Sequence, residues 1–131
     1  MSDSGTAGRA TVTVCITCRV PSDPMDGPRA GIALADAAVV AATGISDISV
    51  QRVRCLGNCN RGLSAAIRCD NAWTYVFGGL EPARDGLSLI IGAQLLAQAR
   101  DGIMPWRDRP DSLKRGLIAR VPPLNYQDEA P

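Results

Sequence analysis

Thr11-Val12-Thr13-Val14-Cys15-Ile16-Thr17-Cys18 is the stretch on which the reading of this chain turns. Threonine alternates with β-branched apolar residues from Thr11 to Ile16, the pattern of a half-buried strand, and two cysteines stand at its C-terminal end. A second close pair, Cys55-Leu56-Gly57-Asn58-Cys59, lies further on. Two such clips brought together by folding present four thiolates at one point, which is a donor set for zinc or an iron–sulfur cluster. The chain contains no histidine, so cysteine must carry any metal or redox chemistry.

Working outward, Pro21-Ser22-Asp23-Pro24-Met25-Asp26-Gly27 reads as a loop. A helix is expected from Pro28 to Thr43, stopped by Gly44, with Ile32, Ala35, Val39 and Ala42 on its packing face. Ile45 to Arg54 reads as a second strand that ends where Cys55 begins. Ser64 to Cys69 and Ala72 to Phe77 read as strands joined by a turn at Asp70-Asn71, residue types that tolerate left-handed backbone. Gly78-Gly79 closes the fourth strand, and a long helix follows Pro82 and ends at Gly102, with Leu87, Ile90, Ile91 and Leu95 as its apolar stripe.

The order β-α-β-β-β-α defines an α/β sandwich over residues 11–102, preceded by a flexible segment 1–10. It is followed by a Pro-rich C-terminal extension, residues 103–131, with one short helix near Asp111 to Ala119 and a disordered end from Asp128 to Pro131. A chain of 131 residues suits a single core. With 4% aromatic residues, that core must be built from Ala, Val, Leu and Ile.

Composition narrows the function. A net charge of +1 argues against a general nucleic-acid binder, which needs a dense basic surface. No apolar run approaches membrane-span length and no export signal opens the chain, so a cytoplasmic protein is expected. In that reducing compartment five cysteines read as metal ligands or redox groups rather than disulfide staples. No Gly-rich phosphate loop and no nucleophile beside a base is present, so the reading is a carrier or metal-binding protein and not an enzyme.

Three chemistries suit the cysteine pairs. Structural zinc accepts four cysteines, although ribbon-type pairs usually lie closer together than the 36 residues between Cys18 and Cys55. Thiol–disulfide exchange at Cys15 and Cys18 calls for a helix N-terminus directly after the pair, where Pro21 and Pro24 interpose a loop. A [2Fe–2S] cluster held by both pairs is the leading expectation, with zinc as the alternative cofactor. Arg19, Arg54 and Arg61 flank the cysteines and offset cluster charge. Cys69 stands apart and reads as a small buried hydrophobe. Trp73, Tyr75 and Phe77 lie on one strand face as core, and Trp106 is expected to pin the extension to the body.

Val53-Arg54-Cys55-Leu56-Gly57-Asn58-Cys59, followed by Ser64-Ala65-Ala66-Ile67, resembles the second cysteine clip of the thioredoxin-like [2Fe–2S] ferredoxins. The resemblance covers roughly residues 11–100 and implies a thioredoxin-like fold, cluster ligation by Cys15, Cys18, Cys55 and Cys59, one-electron transfer to a redox partner protein, and a homodimer. The first clip is tighter than is usual there. It resembles a branch of small bacterial proteins described as predicted metal-binding proteins, as do Trp73-Thr74-Tyr75-Val76-Phe77-Gly78 and Pro105-Trp106-Arg107-Asp108-Arg109-Pro110. That branch implies a setting in cobalamin or cobalt metabolism.

Overall fold

The computed structural model describes residues 9–18, 29–58 and 62–126. The expected loop at Pro21–Gly27, the start and end of the chain, Arg19, Arg61 and Cys59 lie outside the described residues. The elements are β1 (Ala10–Cys15), α1 (Ala30–Ala42), β2 (Ile48–Val53), β3 (Leu63–Cys69), β4 (Thr74–Leu80), α2 (Pro82–Gln98), α3 (Asp111–Arg115) and β5 (Leu117–Val121). They build one five-stranded sheet in the order β2-β1-β3-β4-β5. β1 and β2 run parallel and the other pairings are antiparallel.

The parallel β1–β2 pair needs a crossover, and α1 supplies it. α1 packs on β1 and β2, α2 packs on β1 and β3, and the two helices pack on each other. Val12, Val14, Leu34, Ile67, Tyr75, Phe77, Leu89 and Leu96 form one buried core between helices and sheet. The helices approach closely at Gly86, where an added Cβ would lie 2.5 Å from the Ala37 Cβ.

Both helices bury a face that overlaps only in part with the one expected: Ala35 and Ile90 are buried and Ala42 and Leu95 pack against the core, but the rest of the line differs. In α1 the buried line is Ala30, Gly31, Leu34, Ala35 and Ala38, while Ile32 and Val39 are exposed. Nearly every residue of α1 is apolar or small, so periodicity singles out no face and close approach decides. In α2, Leu89, Gly92, Ala93 and Leu96 point inward with Ile90, whereas Leu87 is 58% exposed. Here too the small residues mark the packed side, because they admit the neighbouring helix and strand.

The turn after β3 forms as expected, with Asn71 at a positive φ of 61°. β4, however, runs through Gly78-Gly79 to Leu80. The expected helix from Asp111 to Ala119 ends at Arg115, and Leu117–Val121 becomes the edge strand β5 instead. Gly116 ends the helix, and its carbonyl accepts the Gly78 N–H at 2.8 Å, which ties the start of β5 to β4. Part of the stretch read as an extension therefore completes the sheet.

Trp106 does not pin that stretch, since it is 60% exposed. Met104, Arg109 and Leu113 do so, all three buried. The Arg109 guanidinium donates to the Met104 carbonyl at 2.6 Å and lies between the rings of Tyr75 and Trp106. Burial lowers its pKa from the ordinary arginine value. Tyr75 and Phe77 are core as expected, and Trp73 packs against that core with the Tyr126 ring on its edge.

Candidate metal centre

The parallel register of β1 and β2 brings the two cysteine-bearing loops to one end of the sheet. Cys15, the last residue of β1, is opposite Val53, the last residue of β2. The Ile16 N–H continues the ladder by donating to the Val53 carbonyl at 2.8 Å. One residue on, the Thr17 hydroxyl donates to the Arg54 carbonyl, and the Cys15 sulfur lies 3.5 Å from the same oxygen. The first clip is thus fastened to the residue that immediately precedes Cys55.

α1 holds the clip from the other side. The Gly31 N–H donates to the Cys18 carbonyl at 3.0 Å, and the Arg29 guanidinium donates to the Thr17 carbonyl at 2.9 Å. Gly31 is required by space, because an added Cβ would meet the Cys15 carbonyl oxygen at 2.3 Å and that of Cys18 at 3.2 Å. The start of β3 contributes as well. Asn58 on the second loop donates to the Ser64 hydroxyl at 3.0 Å, which itself donates to the Gly62 carbonyl.

Cys15 and Cys18 are both buried, and the Cys18 thiol donates to the Cys15 sulfur at 2.9 Å. Burial pushes the Cys18 thiol up to about 11, helped by its bond to Cys15, against a lowering contribution from Ser64. Burial also pushes Cys15 up, but hydrogen bonds from Cys18, Thr17 and the Leu56 backbone outweigh it and hold Cys15 below the ordinary thiol value. One sulfur of the clip is therefore the readier thiolate, and thiolates are what metals take.

Cys55 is exposed on the neighbouring loop. Its sulfur accepts the Gly57 N–H at 3.2 Å, a contact made by a tight turn in which Gly57 has a φ of 76°. Among the described residues, no three of Cys, Asp and Glu stand together as a metal-holding group. The fold brings Cys15 and Cys18 into contact and places Cys55 one loop away, and Cys59 lies outside the described residues.

Cys69 sits at the other end of the sheet. Its register partner is Ala10, the first residue of β1, five residues and about 16 Å of strand from Cys15. Burial raises its thiol pKa, aided by Asp70 and Asp47. An open cavity of about 820 Å³ lined by Arg9, Arg68, Cys69, Asn71 and Pro122 also lies at that end, away from the clip.

Several residues that shape the clip carried little sequence signal. Thr17 is visible as the inner residue of the first pair, but its tie to Arg54 follows only from the parallel register. Gly31 and Ser64 act through contacts between elements distant in sequence. Asp85, a buried carboxylate away from the clip, was likewise not singled out. It accepts from the Glu81 N–H at 2.7 Å and from Arg84 at 3.0 Å, and so fixes the start of α2.

A single sheet with two helices on one face, opened by a β-α-β unit and carrying cysteines at one end, is a thioredoxin-like arrangement. The chain is similar to the structure of a thioredoxin-like [2Fe-2S] ferredoxin from Aquifex aeolicus, with a TM-score of 0.55 and 18% identity, over 92% of this chain and 100% of that one. The chain belongs to the family described as "Protein of unknown function (DUF1636)", whose model matches residues 12–123. No curated protein matches it. Among the described residues, no helix is long and apolar enough to cross a membrane.

Proposed function

We propose that the chain is a [2Fe–2S] electron carrier, with Cys15, Cys18, Cys55 and Cys59 as the cluster ligands. The observation that carries this reading is the convergence of the two cysteine loops, fastened by the Ile16–Val53 and Thr17–Arg54 hydrogen bonds. The donor set fits the group, since it is all sulfur in a chain without histidine. When bound, the cluster supplies one-electron reduction. The chain's own residues hold and tune it. The Gly57 N–H donates to the Cys55 sulfur, the kind of bond that adjusts cluster potential. Arg29 and Gly31 fix the backbone of the first clip, and the cover over Cys15 and Cys18 keeps water from that side. Cys55, being exposed, is the side from which an electron reaches a partner.

The partner in this reading is a redox enzyme, with two copies of the chain acting as a homodimer in the cytoplasm. The resemblance to the small metal-binding branch supplies cobalamin or cobalt metabolism as the setting. A second reading, non-redox binding or delivery of zinc by the same four cysteines, is favoured by the tight Cys15–Cys18 spacing, which suits a tetrahedral site. Elemental analysis with a visible spectrum separates them. Iron and sulfide in equal amounts with absorption above about 400 nm supports the cluster. A colourless chain holding zinc supports the alternative.

A further inference from the structure

We propose that Cys15 and Cys18 are a reversible dithiol–disulfide pair in the metal-free chain, so that the first clip closes on itself under oxidising conditions. The pairing stands on the clip's geometry whether the metal is a cluster or zinc. Its consequence for loading rests on the four-cysteine reading given above.

The two sulfurs are already in contact at 2.9 Å. A disulfide spans about 2.05 Å, so the bond needs an approach of less than about 1 Å. The backbone that carries the sulfurs is held at three points, Ile16 to Val53, Arg29 to Thr17 and Gly31 to Cys18, and the Thr17 hydroxyl adds a fourth tie to Arg54. Closing the bond therefore requires side-chain rotation and no rearrangement of the fold. Cys55 is exposed with its sulfur on the Gly57 amide, and Cys69 lies at the far end of the sheet.

The oxidant is a low-molecular-weight disulfide. The Cys15 thiolate attacks one of its sulfurs, forming a mixed disulfide and expelling one small thiolate. The Cys18 sulfur, its proton lost to solvent, then attacks the Cys15 sulfur and expels the second thiolate. Two protein thiols are oxidised to one disulfide and one small disulfide is reduced to two thiols. Because both sulfurs are covered, exchange passes through a local opening and is slower than at exposed Cys55. A closed clip has no thiolates to offer a metal, so oxidation blocks loading.

The test uses the full chain carrying Cys55→Ser and Cys59→Ser, which keeps the clip and cannot assemble a four-thiolate site. The chain is equilibrated anaerobically across a series of reduced and oxidised glutathione, alkylated, digested and weighed. The expected result is a link between residues 15 and 18, a chain about 2 Da lighter, and Cys69 alone alkylated. Stable glutathione adducts on Cys15 or Cys18 without a link, or links through Cys69, would overturn the proposal. The wild-type chain, freed of metal by a chelator and checked for its fold by circular dichroism, guards against a folding defect in the variant. There a 15–18 link supports the proposal, and a dominant link through residue 55 or 59 overturns it. A chain that holds only zinc leaves these outcomes unchanged, which separates this proposal from the cluster reading.

Discussion

Cys15 and Val53 are opposite one another at the C-terminal ends of two parallel strands. From that single pairing the rest of the site follows. Both strands end at the same edge, so the residues that come next, Ile16 to Cys18 and Arg54 to Asn58, leave the sheet side by side. Parallel strands put their following loops at one edge, which is why such edges carry sites in α/β folds. An antiparallel β1–β2 pair would have sent the two clips to opposite ends, where Cys69 now lies.

The four proposed ligands are separable from the bystander. Replacing Cys15, Cys18, Cys55 or Cys59 singly by Ala should abolish metal retention and lower stability, because metal binding is linked to folding. Cys69→Ala should keep full metal content, measured as metal per chain after anaerobic purification.

Gly31→Ala tests the packing of α1 against the clip. The new methyl group meets the Cys15 carbonyl oxygen at 2.3 Å, so helix or clip must shift. Overpacking of this kind costs about 1–3 kcal/mol in denaturant unfolding, and retained metal should fall with it.

Asp85 predicts an acid-sensitive step in stability. Burial raises its pKa, but the hydrogen bonds from Arg84 and the Glu81 amide outweigh that and leave it below the ordinary aspartate value. A lowered carboxylate contributes stability that is present above its unfolded pKa and is lost as pH falls through the folded one. Asp85→Asn should cost about 1–3 kcal/mol near neutrality, because the Glu81 amide and Arg84 lose a charged acceptor. It should also flatten the acid limb of stability measured against pH below about 4.

Arg109 and Trp106 should part company on mutation. Arg109 is buried and donates to the Met104 carbonyl, while the Tyr75 hydroxyl accepts the Met104 N–H at 2.9 Å. Arg109→Ala should cost about 1.5–3 kcal/mol, the range for charged hydrogen bonds. Trp106→Ala removes an exposed ring and its stacking with Arg109 and Lys114, worth about 1 kcal/mol or less at such a site. Thermal or denaturant unfolding of the two variants checks the order.

The order of β1 to α2 was legible because each element carries a local signal: alternation at Thr11–Ile16, a stop at Gly44 and a turn at Asp70-Asn71, although α2 ends at Gln98, short of the expected stop at Gly102. The same signals placed Cys15 and Cys55 at strand ends. Helix facing was legible only in part. Ile32 and Leu87 look like core by hydropathy, but contact between α1 and α2 is set by Gly86 and Ala37, and small residues leave no mark in a hydrophobic stripe. β5 was masked by helix formers at Ser112–Arg115, although Gly116, the aliphatic run Leu117–Val121 and the stop at Pro122-Pro123 are the signal that marks a strand there. The ties at Thr17, Gly31 and Ser64 join residues far apart in sequence, and only the folded register reveals them.

The most direct test of the central claim is iron, sulfide and zinc analysis of the anaerobically purified chain, with electron paramagnetic resonance after stepwise reduction. The account predicts about two iron and two sulfide per chain and a signal that appears with one-electron reduction and disappears on reoxidation. One zinc per chain, no sulfide and no reducible centre would contradict it.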